Sequence, residues 1–160
     1  MKYRVAIITV SDKGSKGQRE DLSGKVIEEI VSQWAEVVFY RIVPDEKEEI
    51  KQAILEAVSH ADLVLTNGGT GLYPRDVTPD ATLEVIEKEV PGIAEAMRIA
   101  GLAKTKTAML SRAVAGIRGR TLIINLPGSP KAVKESLEAI IDALPHAIDK
   151  LKGDPTECGR

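Results

Sequence analysis

Apolar positions along the chain alternate between two rhythms. Val5 to Val10 is a short apolar run of buried-strand length, and Ile27, Ile30, Val31 and Trp34 then recur at helical spacing. Val37 to Val43 predicts a second strand. Ile50, Ala53, Ile54, Ala57 and Val58 follow at the i, i+3, i+4, i+7, i+8 spacing of a core-facing helix. Asp62 to Thr66 predicts a third strand, short and rich in β-formers. Beyond a glycine-rich stretch, Thr78 as N-cap and Pro79 at the first helical position predict a helix that Pro91-Gly92 interrupts before a second runs to about Ala103. Ala113 to Ile117, the turn Arg118-Gly119-Arg120 and Thr121 to Leu126 read as a hairpin. Ser129-Pro130 opens a last helix, with Val133, Leu137, Ile140, Ile141 and Leu144 on its apolar stripe.

Strands that alternate with helices predict an α/β fold with a mostly parallel sheet covered on both faces, and the hairpin makes one strand antiparallel. The length of 160 residues suits one domain, read as 1–152 with a polar tail at 153–160. With 3% aromatic residues the core must be aliphatic; 43% apolar and 29% charged residues point away from disorder and from membrane spanning.

A net charge of −2 argues against a broad basic surface for nucleic acid, so any anionic ligand must be held locally. The one cysteine, Cys158, lies in the polar tail, and His60 and His146 are far apart, which leaves neither a disulfide framework nor a cysteine or histidine metal cluster. The amino terminus lacks the apolar core and cleavage site of a signal peptide, and the expected location is cytoplasmic.

In open α/β sheets ligands bind at the carboxyl ends of the strands. Four loops fall there: Ser11-Asp12, Pro44-Asp45, Thr66 to Asp76 and Asn125 to Ser129. Gly68, Gly69 and Gly71 leave backbone N–H groups open to an anion, as in phosphate-holding nests, although glycines after a strand also make tight turns. The loop matches neither a Walker loop nor the dinucleotide fingerprint. Asp76 stands before the helix start and reads as a chemical group, and Arg75 as either a phosphate clamp or a solvated charge. Asp45 and Glu48 have the spacing of a capping box, Asp80 suits a helix first turn, and Ser111-Arg112 is either a turn or a ligand contact. Lys13, Lys16 and Arg19 read as a solvated face, Arg118 and Arg120 as a soluble hairpin tip, and His146, Met97 and Met109 as packing residues.

Thr9-Val10-Ser11-Asp12, Pro44-Asp45-Glu46, Thr66-Asn67-Gly68-Gly69-Thr70-Gly71, Pro74-Arg75-Asp76-Val77-Thr78-Pro79-Asp80-Ala81-Thr82, Leu110-Ser111-Arg112 and Asn125-Leu126-Pro127-Gly128-Ser129-Pro130 together resemble the MogA and MoaB proteins of molybdenum-cofactor synthesis, relatives of the gephyrin G domain. The resemblance spans nearly the whole chain. It implies a three-layer α/β/α sandwich, a homotrimer or hexamer, a downstream molybdate-inserting partner, and adenylylation of molybdopterin by ATP with Mg²⁺. On it, Asp45 and Asp76 match the two functionally important aspartates and would hold Mg²⁺. Ser11, Asp12, Gly68, Gly69, Thr70, Gly71, Arg75, Ser111 and Arg112 would bind the substrate phosphate, and Asn125, Pro127, Gly128 and Ser129 the nucleotide. The chain is MoaB-like in length. A non-catalytic MoaB-type scaffold, with the aspartates only capping helices, is the alternative, and a flavodoxin-like protein fits less well for want of aromatic residues.

Overall fold

In the computed structural model, which describes residues 2–155, the first apolar run forms β1 (Arg4–Val10), and its alternate side chains are buried on opposite faces of one sheet. Val5 and Ile7 join one apolar cluster, Ala6 and Ile8 another. Burial on both faces explains why the run is continuously apolar rather than alternating. A four-residue helix α1 (Asp12–Ser15) follows, then α2 (Leu22–Val31), β2 (Glu36–Val43), α3 (Lys47–Val58) and β3 (Leu63–Asn67). The second half adds α4 (Thr78–Val85), β4 (Lys88–Glu89), α5 (Pro91–Leu102), β5 (Ala115–Arg118), β6 (Thr121–Leu126), α6 (Pro130–Ile140) and α7 (Leu144–Leu151).

The strand order is β2-β1-β3-β6-β5-β4, with β2, β1, β3 and β6 mutually parallel and β5 antiparallel to both its neighbours. One layer packs α2, α5, α6 and α7 on the sheet through Ile27, Met97, Val133, Leu137 and Ile148; the other packs α3 and α4 through Ile50, Ile54, Ala81 and Val85. This is the expected three-layer α/β/α sandwich. Since β1 leads to β2 on one side and the chain then returns to β3 on the other, the sheet's switch point lies between β1 and β3, where a crevice opens beyond the carboxyl ends.

Some local expectations change. The last helix is two, α6 and α7, separated by a 3₁₀ turn at Ile141–Ala143, because Pro145 has no N–H to continue the ladder. Trp34 packs against the core from beyond the end of α2 rather than within it. The link between α4 and α5 contains β4, too short to show a periodic pattern. Met109 is exposed at 61% rather than packed. Arg118 does more than solubilise the hairpin, since its Nη1 donates to the Val85 carbonyl at the end of α4. Cys158 and the tail beyond residue 155 lie outside the described residues. Within those residues no helix is long and apolar enough to cross a membrane.

Asn125, expected at the nucleotide, is fully buried in β6. Its Nδ2 donates to the Thr66 and Thr82 hydroxyls at 3.0 and 2.9 Å, and its Oδ1 accepts from the Val114 N–H. It ties β3, α4 and the approach to β5 together and is out of a ligand's reach. Asn125→Ala is expected to cost about 2–4 kcal/mol, because it leaves several buried polar groups unpaired at once; a denaturant midpoint shift with unchanged slope measures it.

Candidate functional site

The glycine loop leaves β3 with Gly68 and Gly69 at φ +93° and +69°. A Cβ at Gly68 would come within 2.4 Å of the Val10 carbonyl oxygen, and one at Gly69 within 2.4 Å of the Thr78 hydroxyl. Glycine is therefore required here by both conformation and space. The loop's carbonyls are all tied to the protein. Gly68 O accepts from the Thr78 hydroxyl and Gly69 O from the Thr78 N–H, while Thr70 O accepts from the Arg112 N–H and Gly71 O from Arg112 Nε. Thr78 thus does not cap α4 with its side chain as expected; it clamps the loop. Among the described residues the N–H groups of Gly69, Thr70 and Gly71 meet no acceptor, which leaves three successive donors for an anion. Gly68 does not join them, as its N–H bonds to the Leu126 carbonyl.

Arg112 holds the loop in place. Beyond Gly71 O, its guanidinium donates to the Asp76 carbonyl at 2.6 Å and to both oxygens of Asp80, so four of its five N–H donors are engaged. Asp80, read as structural, is its ion-pair partner.

Asp45 does not cap α3, whose N-cap position is held by Glu46 without a side-chain capping bond. Asp45 Oδ2 accepts from the Asp12 N–H at 3.0 Å, and Asp12 Oδ1 from the Asp45 N–H at 2.9 Å. This reciprocal clasp joins the loops after β1 and β2. Burial, and then repulsion from Asp12 and Asp76, push the Asp45 carboxyl above the ordinary carboxylate range against the opposing bond from Asp12. The other oxygen, Oδ1, lies toward Gly69, 3.2 Å from where a Cβ would stand. Asp76 Oδ2 accepts from the Tyr73 N–H, in the turn before α4, and likewise approaches Gly71. Neither aspartate serves as a helix cap.

The described residues hold no group of three or more His, Cys, Asp and Glu placed to bind a metal by themselves. Two hard carboxylate donors beside three unpaired N–H groups nonetheless suit Mg²⁺, which takes one or two carboxylates together with substrate phosphates. The raised Asp45 carboxyl is consistent with a place where added positive charge is favourable.

Arg75 meets carboxylates here: Nε and Nη2 pair with both Asp12 oxygens at 2.7 and 3.0 Å, and Nη2 also reaches Glu46. The Arg75 hydrogen bonds, with help from the Asp45 N–H, lower the Asp12 carboxyl to about 2. Ser11 caps α1 by accepting from the Gly14 N–H, and Ser129 caps α6 by accepting from the Ala132 N–H.

Two concavities flank the loop. The first, about 980 Å³, is lined by Ser11, Asp12, Asp45, Gly68, Gly69, Asp76, Gly128 and Ser129. The second, about 430 Å³ and mostly apolar, takes in Thr70, Gly71, Ser111 and Pro127. The residues expected around one phosphate therefore divide between two chambers that share the loop as a wall. Lys13 and Arg19 line the first chamber instead of a merely solvated face.

Sequence reasoning missed Asp21, which lines the same chamber. Its carboxylate caps α2 by accepting from the Gly24 N–H and also takes bonds from the Thr9 and Tyr40 hydroxyls. Burial, then the bond to Asp21, push the Tyr40 hydroxyl up. Asn67 donates to Thr9 Oγ1 at 2.9 Å and extends the network along the strand ends. Ser23 donates to the Gly128 carbonyl and fixes that loop from α2. The Asp21-Leu22-Ser23-Gly24 spacing was the available signal, as an N-cap three residues before a backbone donor.

Residues 6–146 match the family described as a probable molybdopterin binding domain. The chain belongs to this MogA and MoaB family. It is 44% identical over 155 residues to a molybdopterin adenylyltransferase of Helicobacter pylori, covering 94% of this chain and 88% of that one. It is 40% identical to the Escherichia coli K12 protein of the same name, covering 96% and 88%. The crystal structure of the molybdopterin biosynthesis enzyme MoaB of Thermus thermophilus superimposes with a TM-score of 0.89 at 53% identity, over 97% of this chain and 99% of that one.

The Asp12 shift has a defined sign. A carboxyl lowered from 3.8 to about 2 adds stability that is present above the ordinary value and is lost as the pH falls through the folded one. Arg75→Ala is expected to be less stable than wild type at neutral pH, with the gap narrowing between pH 3.8 and about 2; thermal melts across that range read it.

Proposed function

We propose that the protein is a molybdopterin adenylyltransferase, which transfers AMP from ATP to the terminal phosphate of molybdopterin and releases pyrophosphate. Relatives at 40% and 44% identity over most of the chain bear that name. The observation that carries the reading to this chain is the loop of three free N–H donors, shared by two chambers and faced by Asp45 and Asp76.

In this reading the nucleotide occupies the larger chamber, with Gly128 and Ser129 along it, and the pterin the apolar one beside Ser111 and Pro127. Their phosphates meet at Gly69 to Gly71. An oxygen of the molybdopterin phosphate forms a bond to the α-phosphorus of ATP as the bond to the β-phosphate oxygen breaks, and pyrophosphate leaves. Two polyanions must be aligned and their charge offset, so catalysis is mainly positioning and electrostatics. The N–H donors hold the phosphates, Thr78 and Arg112 keep those donors aimed, and Asp45 and Asp76 fix the geometry on the opposite side. Mg²⁺, when held by Asp45, Asp76 and the phosphates, supplies positive charge to the transferring group. Arg75 pairs with Asp12, which lines the larger chamber, and once released from Asp12 and Glu46 it would meet a phosphate there.

The reading includes a cytoplasmic oligomer, a homotrimer or hexamer. The exposed Ile99, Leu102 and Met109 on and after α5 offer an apolar face for subunit contact.

Asp45→Asn and Asp76→Asn are expected to fold normally and to lower pyrophosphate release roughly hundred- to thousand-fold, as for other preorganised charged groups. The assay measures release from ATP with and without molybdopterin and Mg²⁺. Release that needs both additions and is lost in the variants supports the transferase; molybdopterin binding without release points to a carrier.

A further inference from the structure

The apolar chamber contains one carboxylate that the chemistry above leaves unused. Glu135, on α6, lines it together with Met97, Leu110 and Pro127, and is the only acidic residue to do so among the described residues. Its side chain is 24% exposed, so a charged group has been brought well into an apolar wall. Such a group is costly without partners. The nearest cation is Lys104, whose Nζ lies 3.8 Å away and whose side chain is 53% exposed. That separation is too long for a hydrogen bond, and it leaves the carboxylate oxygens open as acceptors. Most of the charged and polar groups beside it are engaged elsewhere. Arg98 Nη1 donates to the Ser111 and Ala113 carbonyls, and the Thr105 and Thr107 hydroxyls bond to each other.

We propose that Glu135 recognises the pterin ring, accepting hydrogen bonds from its 2-amino group and N3–H. This inference rests on the molybdopterin reading above and adds the residue that selects the heterocycle. A pterin has two apolar faces, which suit walls such as Met97, Leu110 and Pro127. One edge of it presents two adjacent N–H donors, which a carboxylate accepts side by side in a charge-assisted pair. The same edge in a 2,4-dioxo ring presents an oxygen where the amino group stood, and that oxygen repels the carboxylate. Glu135 is thus a specificity residue, remote in role from the phosphates held at Gly69 to Gly71.

The test compares wild type, Glu135→Gln and Lys104→Ala by titrating each into fluorescent pterin and into lumazine, its 2-oxo counterpart, and by steady-state kinetics with molybdopterin and ATP. Wild type is expected to prefer pterin to lumazine about tenfold or more, because a site built for a donor rejects the analogue that lacks it. Glu135→Gln should lose that preference and raise the KM for molybdopterin about tenfold, with kcat and the KM for ATP within about twofold. Lys104→Ala should leave the preference intact. Unchanged discrimination in Glu135→Gln overturns the proposal, and so does the same loss in Lys104→Ala, which would assign the effect to the ion pair. If wild type released no pyrophosphate but still chose pterin over lumazine through Glu135, the transferase reading would fail and this one would stand.

Discussion

The site depends on where one loop's carbonyls go. Thr78 and Arg112 take every carbonyl from Gly68 to Gly71, and the peptide planes are thereby turned so that three N–H groups face outward. A backbone anion site needs its donors unsatisfied by the protein, and a loop left to itself would turn some of them inward to its own carbonyls. Both clamps are themselves anchored. Thr78 begins α4, while Arg112 is fixed by Asp80 in the first turn of that helix. The loop, α4 and the segment before β5 consequently form one mechanical unit.

A second constraint is the clustering of negative charge opposite those donors. Asp12 and Asp76 both lie within electrostatic reach of Asp45, and the protein tolerates this by pairing Asp12 with Arg75 and by crossing backbone donors between Asp12 and Asp45. Asp45 retains an oxygen toward the loop, and its carboxyl is raised as a result of that crowding and burial. A carboxyl crowded in this way is a place where added positive charge is favourable.

Below these residues the sheet supplies rigidity. The buried network from Asn125 to Thr66 and Thr82, and the second from Asn67 through Thr9 to Asp21, cross-link the strand ends that carry the loops. Polar groups at such depth must be paired, and once paired they fix the relative heights of β1, β3 and β6 at the edge that carries the glycine loop.

The sequence by itself determined the order of elements, the two-sided burial of the central strands and the place of the glycine loop, because these follow from local periodicity and from what glycine and proline permit. It also named Asp45, Asp76 and the strand-end loops as candidates, and the structure brings them to one edge of the sheet. It misread Asn125 and Thr78, and left Arg112 open between turn and ligand contact and Asp45 between cap and chemistry, since a polar residue near a loop has the same local signature whether it faces ligand or protein. Only the tertiary structure decided those roles. Which way a side chain turns depends on partners far off in the chain, as with Arg112 and Gly71 or Asp12 and Asp45. The division of the site into a charged chamber and an apolar one was likewise beyond the sequence, because it arises from how α5 and α6 pack beside the loop and no local pattern encodes that distance.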